Sequence, residues 1–320
     1  MKDKKNKILV TGGAGNIGSA LVERLILNPN NSVVIVDNLS TGFLSKLPSQ
    51  EKTNWEFIQA NVNMLEDISR VMLSDKYDYV FHFAAVVGVI RTQENPIDVL
   101  SDIEGIKNIL NLAKNSSVKH VYFASSSEAY GEPVELPQNE YRTPLNSRVP
   151  YAVVKNVGEC FFRSYWQTYG LPYTIFRFFN TYGPNQSTDF VVARFLAAAL
   201  QNKDIQIYGD GSQTRTFTFV DDTVSVCSSI FEQQLLVNDV INIGNDQLVT
   251  IRELAELTIR ITGSSSKISF LPPLKEGDMT RRQPDNTKMR SILNRELICL
   301  EDGIKAMLRD ERFLKSIKSN

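Results

Sequence analysis

The 320-residue sequence predicts an α/β protein: a doubly wound parallel sheet followed by a smaller α/β lobe. Three observations carry that reading. Short β-branched runs alternate with segments of helical period through the first half of the chain. A glycine-rich turn joins the first of these runs to the first helical segment. The alternation lapses near Asn180, where residues 183–189 are rich in turn formers. Strands are therefore expected at residues 8–11, 33–36, 56–59, 79–83, 121–124 and 173–178, each short and apolar enough to be buried on both faces. The amphipathic stretches 17–27, 66–73, 103–114 and 152–169 supply the crossover helices. Beyond residue 180 the smaller lobe is expected to hold helices near 191–201, 222–233, 251–262 and 300–309, with strands near 205–208, 240–243 and 268–270. The expected units are thus residues 1–180 and 181–320, with elements free to cross between them.

Bulk properties narrow the partners. A formal charge of -1 sets up no field that favours nucleic acid or an anionic membrane, so an anionic ligand must be held locally. The basic start of the chain is followed by an apolar run, residues 8–10, far too short for a secretion signal or a membrane span, and a cytoplasmic protein is expected. Cys160, Cys227 and Cys299 are odd in number and show no paired spacing, which predicts buried free thiols and no metal site. His82 and His120 lie in or beside strand-like runs and read as structural.

The first strand leads into Thr11-Gly12-Gly13-Ala14-Gly15-Asn16-Ile17-Gly18 and then directly into a helix. Glycines at that junction let the backbone turn tightly and let a pyrophosphate reach the amides at the helix N-terminus, where the dipole favours negative charge. Asp37 ends the second strand, 19 residues past Gly18, where a carboxylate can accept hydrogen bonds from adenosine ribose hydroxyls. No Arg or Lys follows within residues 38–42 to neutralise a 2′-phosphate. The cofactor expected is NAD rather than NADP, in a Rossmann-type N-terminal domain. A bare glycine turn with a strand-end Asp is the bland alternative, but strand, turn, helix, second strand and acid all fall in the required order.

The fifth strand ends in Ser125-Ser126-Ser127-Glu128-Ala129-Tyr130-Gly131, which puts hydroxyls and a carboxylate at the carboxyl edge of the sheet. Tyr151 and Lys155 then share a helix face four residues apart. A phenol with a pKa of about 10 is a poor base at neutral pH, and a neighbouring ammonium and a cationic nicotinamide both favour its phenolate. Tyr151 could then take a hydroxyl proton as hydride leaves the carbon.

In this order, and together with His82-Phe83-Ala84-Ala85, Asn180-Thr181-Tyr182-Gly183-Pro184, Tyr208-Gly209-Asp210-Gly211 and Phe219-Val220-Asp221-Asp222, the sequence resembles the extended short-chain dehydrogenase/reductase family of nucleotide-sugar epimerases and dehydratases over nearly its whole length. The resemblance implies that Ser126 orients the reacting hydroxyl, Tyr151 is the base and Lys155 holds the nicotinamide ribose. It also implies a cofactor cradle of Gly12, Gly15, Asn16, Ile17, Gly18, Asp37, Asn38, Asn61, Val62, Phe83, Ala84 and Ala85. Asn61 stands where relatives usually carry an Asp facing adenine. By the same resemblance the C-terminal lobe binds substrate, a nucleotide-diphosphate sugar, through Asn180, Arg215 and Arg282, with Arg281 adding charge. An Arg fork is suited to a phosphate because it makes two bonds and keeps its charge.

The implied reaction begins with oxidation at sugar C4 to a 4-keto intermediate. Glu128 adds a titratable group that a plain 4-epimerase does not need, and residues 281–285 resemble UDP-glucuronate decarboxylases, whereas residues 144–150 resemble epimerases. Epimerisation, dehydration and decarboxylation stay open, as do net dehydrogenation and a non-catalytic NAD-binding role. Relatives pair the helices around 103–114 and 152–169 into a four-helix bundle, so a homodimer is expected.

Overall fold

The computed structural model describes residues 5–273 and 281–318. In chain order its elements are β1 (Asn6–Thr11), α1 (Asn16–Leu25), β2 (Asn31–Asp37), β3 (Trp55–Gln59), α2 (Leu65–Ser74), β4 (Tyr79–His82), α3 (Val89–Glu94), α4 (Pro96–Lys114), β5 (His120–Ser126), α5 (Pro150–Tyr169) and β6 (Tyr173–Phe178). There follow β7 (Thr181–Tyr182), α6 (Val191–Leu200), β8 (Ile205–Tyr208), β9 (Thr214–Thr216), β10 (Thr218–Phe219), α7 (Val220–Glu232), β11 (Asp239–Ile243) and β12 (Leu248–Thr250). The last elements are α8 (Ile251–Thr262), β13 (Ile268–Leu271), α9 (Thr287–Leu293), α10 (Leu300–Arg309) and α11 (Glu311–Lys318).

Seven strands form one parallel sheet in the order β11-β6-β5-β4-β1-β2-β3. Alternate residues of each strand point to opposite faces, so β1 sends Leu9 into the core beneath α2, α4 and α5 and sends Ile8 and Val10 into the core beneath α1, α7 and α9. Pro96 starts α4 at a position where its missing N–H has no helical partner to lose, and the helix begins earlier than the apolar pattern alone suggests. The remaining strands make three short pairs, β7 with β10, β8 with β13 and β9 with β12, beside a separate core that includes Phe195, Leu254, Ile304 and Phe313.

Two expectations are corrected. The strand near 240–243 does not belong to the smaller lobe: β11 pairs with β6, and α7 packs on α1, so the large sheet recruits chain from beyond residue 180. Four of the five β11 residues are buried, a pattern that either a sheet edge or a small-lobe strand could satisfy, and only pairing decides. The thiols also differ from expectation. Cys227 is buried, but Cys160 and Cys299 are exposed, Cys299 donating to the Asp302 carboxylate at 3.2 Å.

His82 and His120 are both buried, and each is hydrogen-bonded to a threonine of a neighbouring strand, Thr11 and Thr174 respectively. Burial pushes their pKa values down to about 3 and about 4. Among the described residues no helix is long and apolar enough to cross a membrane.

Candidate active site

A cavity of about 950 Å³ opens at the carboxyl edge of the sheet, between the strand ends and the smaller lobe. Parallel strands all end on this edge, so the loops after β1, β2, β4 and β5 converge there. After β1, Gly12 has φ +71°, and a Cβ on it would lie 2.6 Å from the backbone nitrogen of Ala84. A Cβ on Gly18 would overlap the Gly12 carbonyl. Only glycine allows the turn to pack against the β4 exit and α1 to rise directly from it. Gly15 precedes α1 with no side-chain cap, and the buried Oδ1 of Asn16 has no hydrogen-bond partner among the described residues. The uncapped backbone N–H groups at the N-terminus of α1, in a cradle with no room for a Cβ, fit a dinucleotide pyrophosphate.

Ile17, Asn38, Asn61, Val62, Phe83 and Ala85 line the same cavity. Asp37 is buried, and each carboxylate oxygen accepts one backbone N–H, from Ala14 at 3.0 Å and from Leu39 at 2.8 Å. It therefore braces the glycine turn while facing the cavity. Folding also brings Lys46 to this end; burial lowers its pKa, and the Asp37 charge opposes that shift. Inspection of residues 38–42 alone misses this cation.

At the other end, Ser126 closes β5, and its hydroxyl accepts the Glu128 N–H at 3.2 Å, capping the turn Ser127–Tyr130. Tyr151 lies in the first turn of α5, hydrogen-bonded to Ser126. Lys155 is buried and donates to the Ala124 carbonyl at 2.8 Å, its Nζ 5.5 Å from the Tyr151 ring centroid. Burial lowers the Lys155 pKa to about 8, opposed by Asp102. The Tyr151 hydroxyl is shifted upward, first by burial and then by the Glu128 carboxylate, with Ser126 and Arg282 opposing. The protein's own groups thus favour the protonated phenol. The ammonium is turned toward a carbonyl, and desolvation of the phenolate dominates.

The turn after β5 and the segment before α9 meet across the cavity, where Arg282 pairs with Glu128 at 3.4 Å. Arg282 is only 6% exposed, and among the described residues its Nε has no hydrogen-bond partner. Arg281 is exposed and outside the cavity lining, and residues 277–280 lie outside the described residues. Arg215, on β9, is buried against the cavity and donates to the Thr214 carbonyl at 2.8 Å. Asn180 has φ +22°, in the left-handed region that side chains other than glycine rarely adopt, and its amide donates to Thr216 O at 3.1 Å.

Two further cavity residues were not anticipated. Arg194 lies 5.6 Å from the Tyr208 ring centroid, and burial lowers its pKa; a lone cation in the apolar helix α6 was the available signal. Asp102, on α4, accepts the Val86 N–H at 2.7 Å.

Beneath the site, Glu159 follows Lys155 by one turn and is fully buried. It accepts the Ser125 hydroxyl at 2.7 Å and two Arg177 donors at 2.8 and 2.7 Å. Burial opposes its charge, but Arg177, with Ser125 and Arg163, lowers the pKa in the balance. This pair ties α5 to β5 and β6, and so fixes Tyr151 and Lys155 relative to Ser126. Removing either partner strands a buried charge, the costly way to break such a pair.

Residues 8–244 match the NAD dependent epimerase/dehydratase family. A UDP-N-acetyl-alpha-D-glucosaminuronate decarboxylase of Bacillus cytotoxicus is 35% identical over 319 residues, covering 95% of this chain and 97% of that one. Among solved structures, a Thermotoga maritima UDP-glucose 4-epimerase with UDP-glucose superposes with a TM-score of 0.89 at 33% identity, covering 97% of this chain and 99% of that one. A Bacillus cereus UDP-glucuronic acid 4-epimerase, in complex with UDP-glucuronic acid and NAD, gives a TM-score of 0.84 at 29% identity over 98% of this chain and 99% of that one.

Proposed function

The chain belongs to the NAD dependent epimerase/dehydratase family, and on that premise we propose that it acts on a UDP-hexuronate, oxidising C4 and then releasing the C6 carboxylate as carbon dioxide. One observation carries the choice of a uronate: the buried Arg282 faces the cavity with an Nε that has no partner among the described residues, while its Nη2 pairs with Glu128. A buried guanidinium nitrogen without an acceptor is costly unless a ligand supplies one, and a sugar carboxylate is a matching acceptor.

When bound, NAD would supply reversible hydride acceptance at C4. Gly12, Gly18 and Asp37 would hold that group, and Lys155 would hold its nicotinamide ribose. Ser126 orients the C4 hydroxyl, and Tyr151 takes its proton. With a ketone at C4, the C6 carboxylate belongs to a β-keto acid. The C5–C6 bond can then break with its electron pair delocalised onto the ketone oxygen. Ser126 and the protonated Tyr151 donate hydrogen bonds to that oxygen, stabilising charge where it develops. Arg282 directs the carboxylate, and Glu128 shares that Arg282 charge and so weakens its grip on the leaving group. Glu128, whose side chain is 22% exposed, relays a proton from solvent to C5. Tyr151 finally returns its proton to the C4 oxygen.

Incubation of the pure protein and NAD with UDP-glucuronate, UDP-N-acetylglucosaminuronate, UDP-glucose and dTDP-glucose tests the reading. The expected product of a uronate is lighter by carbon dioxide, with no net NADH. A product of unchanged mass with altered sugar resonances would establish epimerisation instead, the outcome toward which residues 144–150 lean. Loss of water, or turnover of neutral hexoses alone, overturns the uronate assignment.

The proposed assembly is a homodimer through α4 and α5, a reading supported by the way these helices pack side by side and leave Ile97, Leu100, Trp166 and Tyr169 exposed. Two copies joined through these helices make a four-helix bundle that buries the apolar set. Sedimentation at micromolar concentration is expected to give a homodimer, and Trp166→Glu a monomer. A monomeric parent protein refutes this assembly.

A further inference from the structure

The buried acid Asp102 has no part in the mechanism above, yet it reaches both halves of the cofactor cavity. It lies on α4 with only 8% of its surface exposed. Its Oδ2 accepts the Val86 N–H at 2.7 Å, and its Oδ1 accepts from the Asn63 amide at 3.2 Å. Those two donors belong to the loops after β4 and β3, which carry Ala84, Ala85, Asn61 and Val62 along the cavity. Asp102 lines the same cavity as Lys155 and Tyr151, where its charge favours the Lys155 ammonium and disfavours the Tyr151 phenolate. A mid-helix acid buried to this depth is expensive unless it is paired.

We infer that Asp102 is a positioning residue with two separable duties: it anchors the cofactor-lining loops through Val86 and Asn63, and it presents a carboxylate to the cavity wall that it shares with Lys155 and Tyr151. This inference rests on NAD as the cofactor and Tyr151 as the base, and is independent of which sugar reacts.

The surrounding groups leave Asp102 as the carboxylate that opposes the burial of Lys155. Burial alone lowers the Lys155 pKa, and Asp102 raises it. His82, on β4, is kept neutral by burial, and Lys155 lowers it further. Glu128 and Arg282 act on Tyr151 with opposite signs from the far side of the cavity. Of the other elements against α4, α2 directs Asp67 to the Asn61 N–H, and α3 directs Arg91 to the Ser40 carbonyl and Asp189. Burial also raises the Asp102 pKa, opposed by the Val86 N–H, Lys155 and Asn63. The ionised form is the one that this set of donors stabilises.

Two substitutions separate the duties. Asp102→Asn keeps an oxygen for the Val86 N–H and removes the charge, whereas Asp102→Ala removes both. Ionisation of Tyr151 is read without any sugar, as phenolate absorbance on titrating NAD-loaded protein, taken as the difference from Tyr151→Phe protein with the same residue at position 102. Loss of a nearby negative charge favours phenolate and disfavours ammonium, so both groups titrate lower. In Asp102→Asn the Tyr151 midpoint is expected to fall by about one pH unit, and NAD affinity by calorimetry to stay within about twofold of the parent. Asp102→Ala, if it folds, is expected to weaken NAD about tenfold. A Tyr151 midpoint unchanged in Asp102→Asn overturns the electrostatic duty. An Asp102→Asn protein that keeps its melting temperature but loses NAD affinity tenfold overturns the separation. If the sugar panel fails, the phenolate titration still decides the inference.

Discussion

Tyr151→Phe protein is expected to fold, to bind NAD with unchanged affinity and to lose turnover by roughly 10³-fold or more. The substitution removes one oxygen. In the free protein that oxygen is bonded to Ser126, and burial and Glu128 hold its proton in place. No structural bond in the core depends on it, so stability should change little. The chemistry loses its proton acceptor altogether, because Ser126 lacks a base of its own, and the neighbouring His82 is buried in a hydrogen bond with Thr11. Calorimetry with NAD and single-turnover formation of NADH on adding the sugar check the two halves separately. Retained turnover in the Phe variant would mean that another group takes the proton and that Tyr151 has been assigned the wrong role.

Arg282→Met is expected to lower kcat/KM toward a UDP-uronate by roughly 10²- to 10³-fold while leaving NAD binding intact. The loss has two sources. A sugar carboxylate forfeits a buried, charge-assisted donor. Glu128 also forfeits its partner at 3.4 Å. Arg282 further opposes the upward shift of Tyr151, so its loss moves that hydroxyl higher still and the rising limb of the rate profile toward alkaline pH. A double-mutant cycle with Glu128→Gln separates these sources: measured against the Glu128→Gln single variant, which has already lost the proton relay, Arg282→Met keeps the loss due to the substrate carboxylate and sheds the part due to a stranded Glu128. Equal losses toward UDP-glucose and UDP-glucuronate would show that Arg282 serves the cavity as a whole rather than the uronate.

The glycine turn and the Ser126, Tyr151 and Lys155 set were legible because each is tied to a neighbour in the sequence: a strand end, a helix start, a spacing of four. Asp37 was legible for the same reason. Arg194 and Asp102 were not, because each sits singly on a helix whose periodicity speaks of packing and says nothing of what its polar position faces. Lys46 escaped through distance along the chain, lying beyond the short stretch in which a counter-charge was sought. Spacing places two side chains on one face but does not reveal that the Lys155 ammonium turns to the Ala124 carbonyl.

Local chain chemistry determined the parallel sheet, the glycine turn into α1 and the placing of Ser126, Tyr151 and Lys155 at one sheet edge, since β-branched alternation, obligatory glycines and a strand-end serine act over a few residues. Tertiary structure decided the rest: that β11 closes the large sheet, that Arg282 meets Glu128, and that Asp102 reaches the loops after β3 and β4. These depend on which surfaces bury one another, and burial sets both the partners and the cost of every charge in the cavity. Sequence periodicity reports that a face is buried, but not against what.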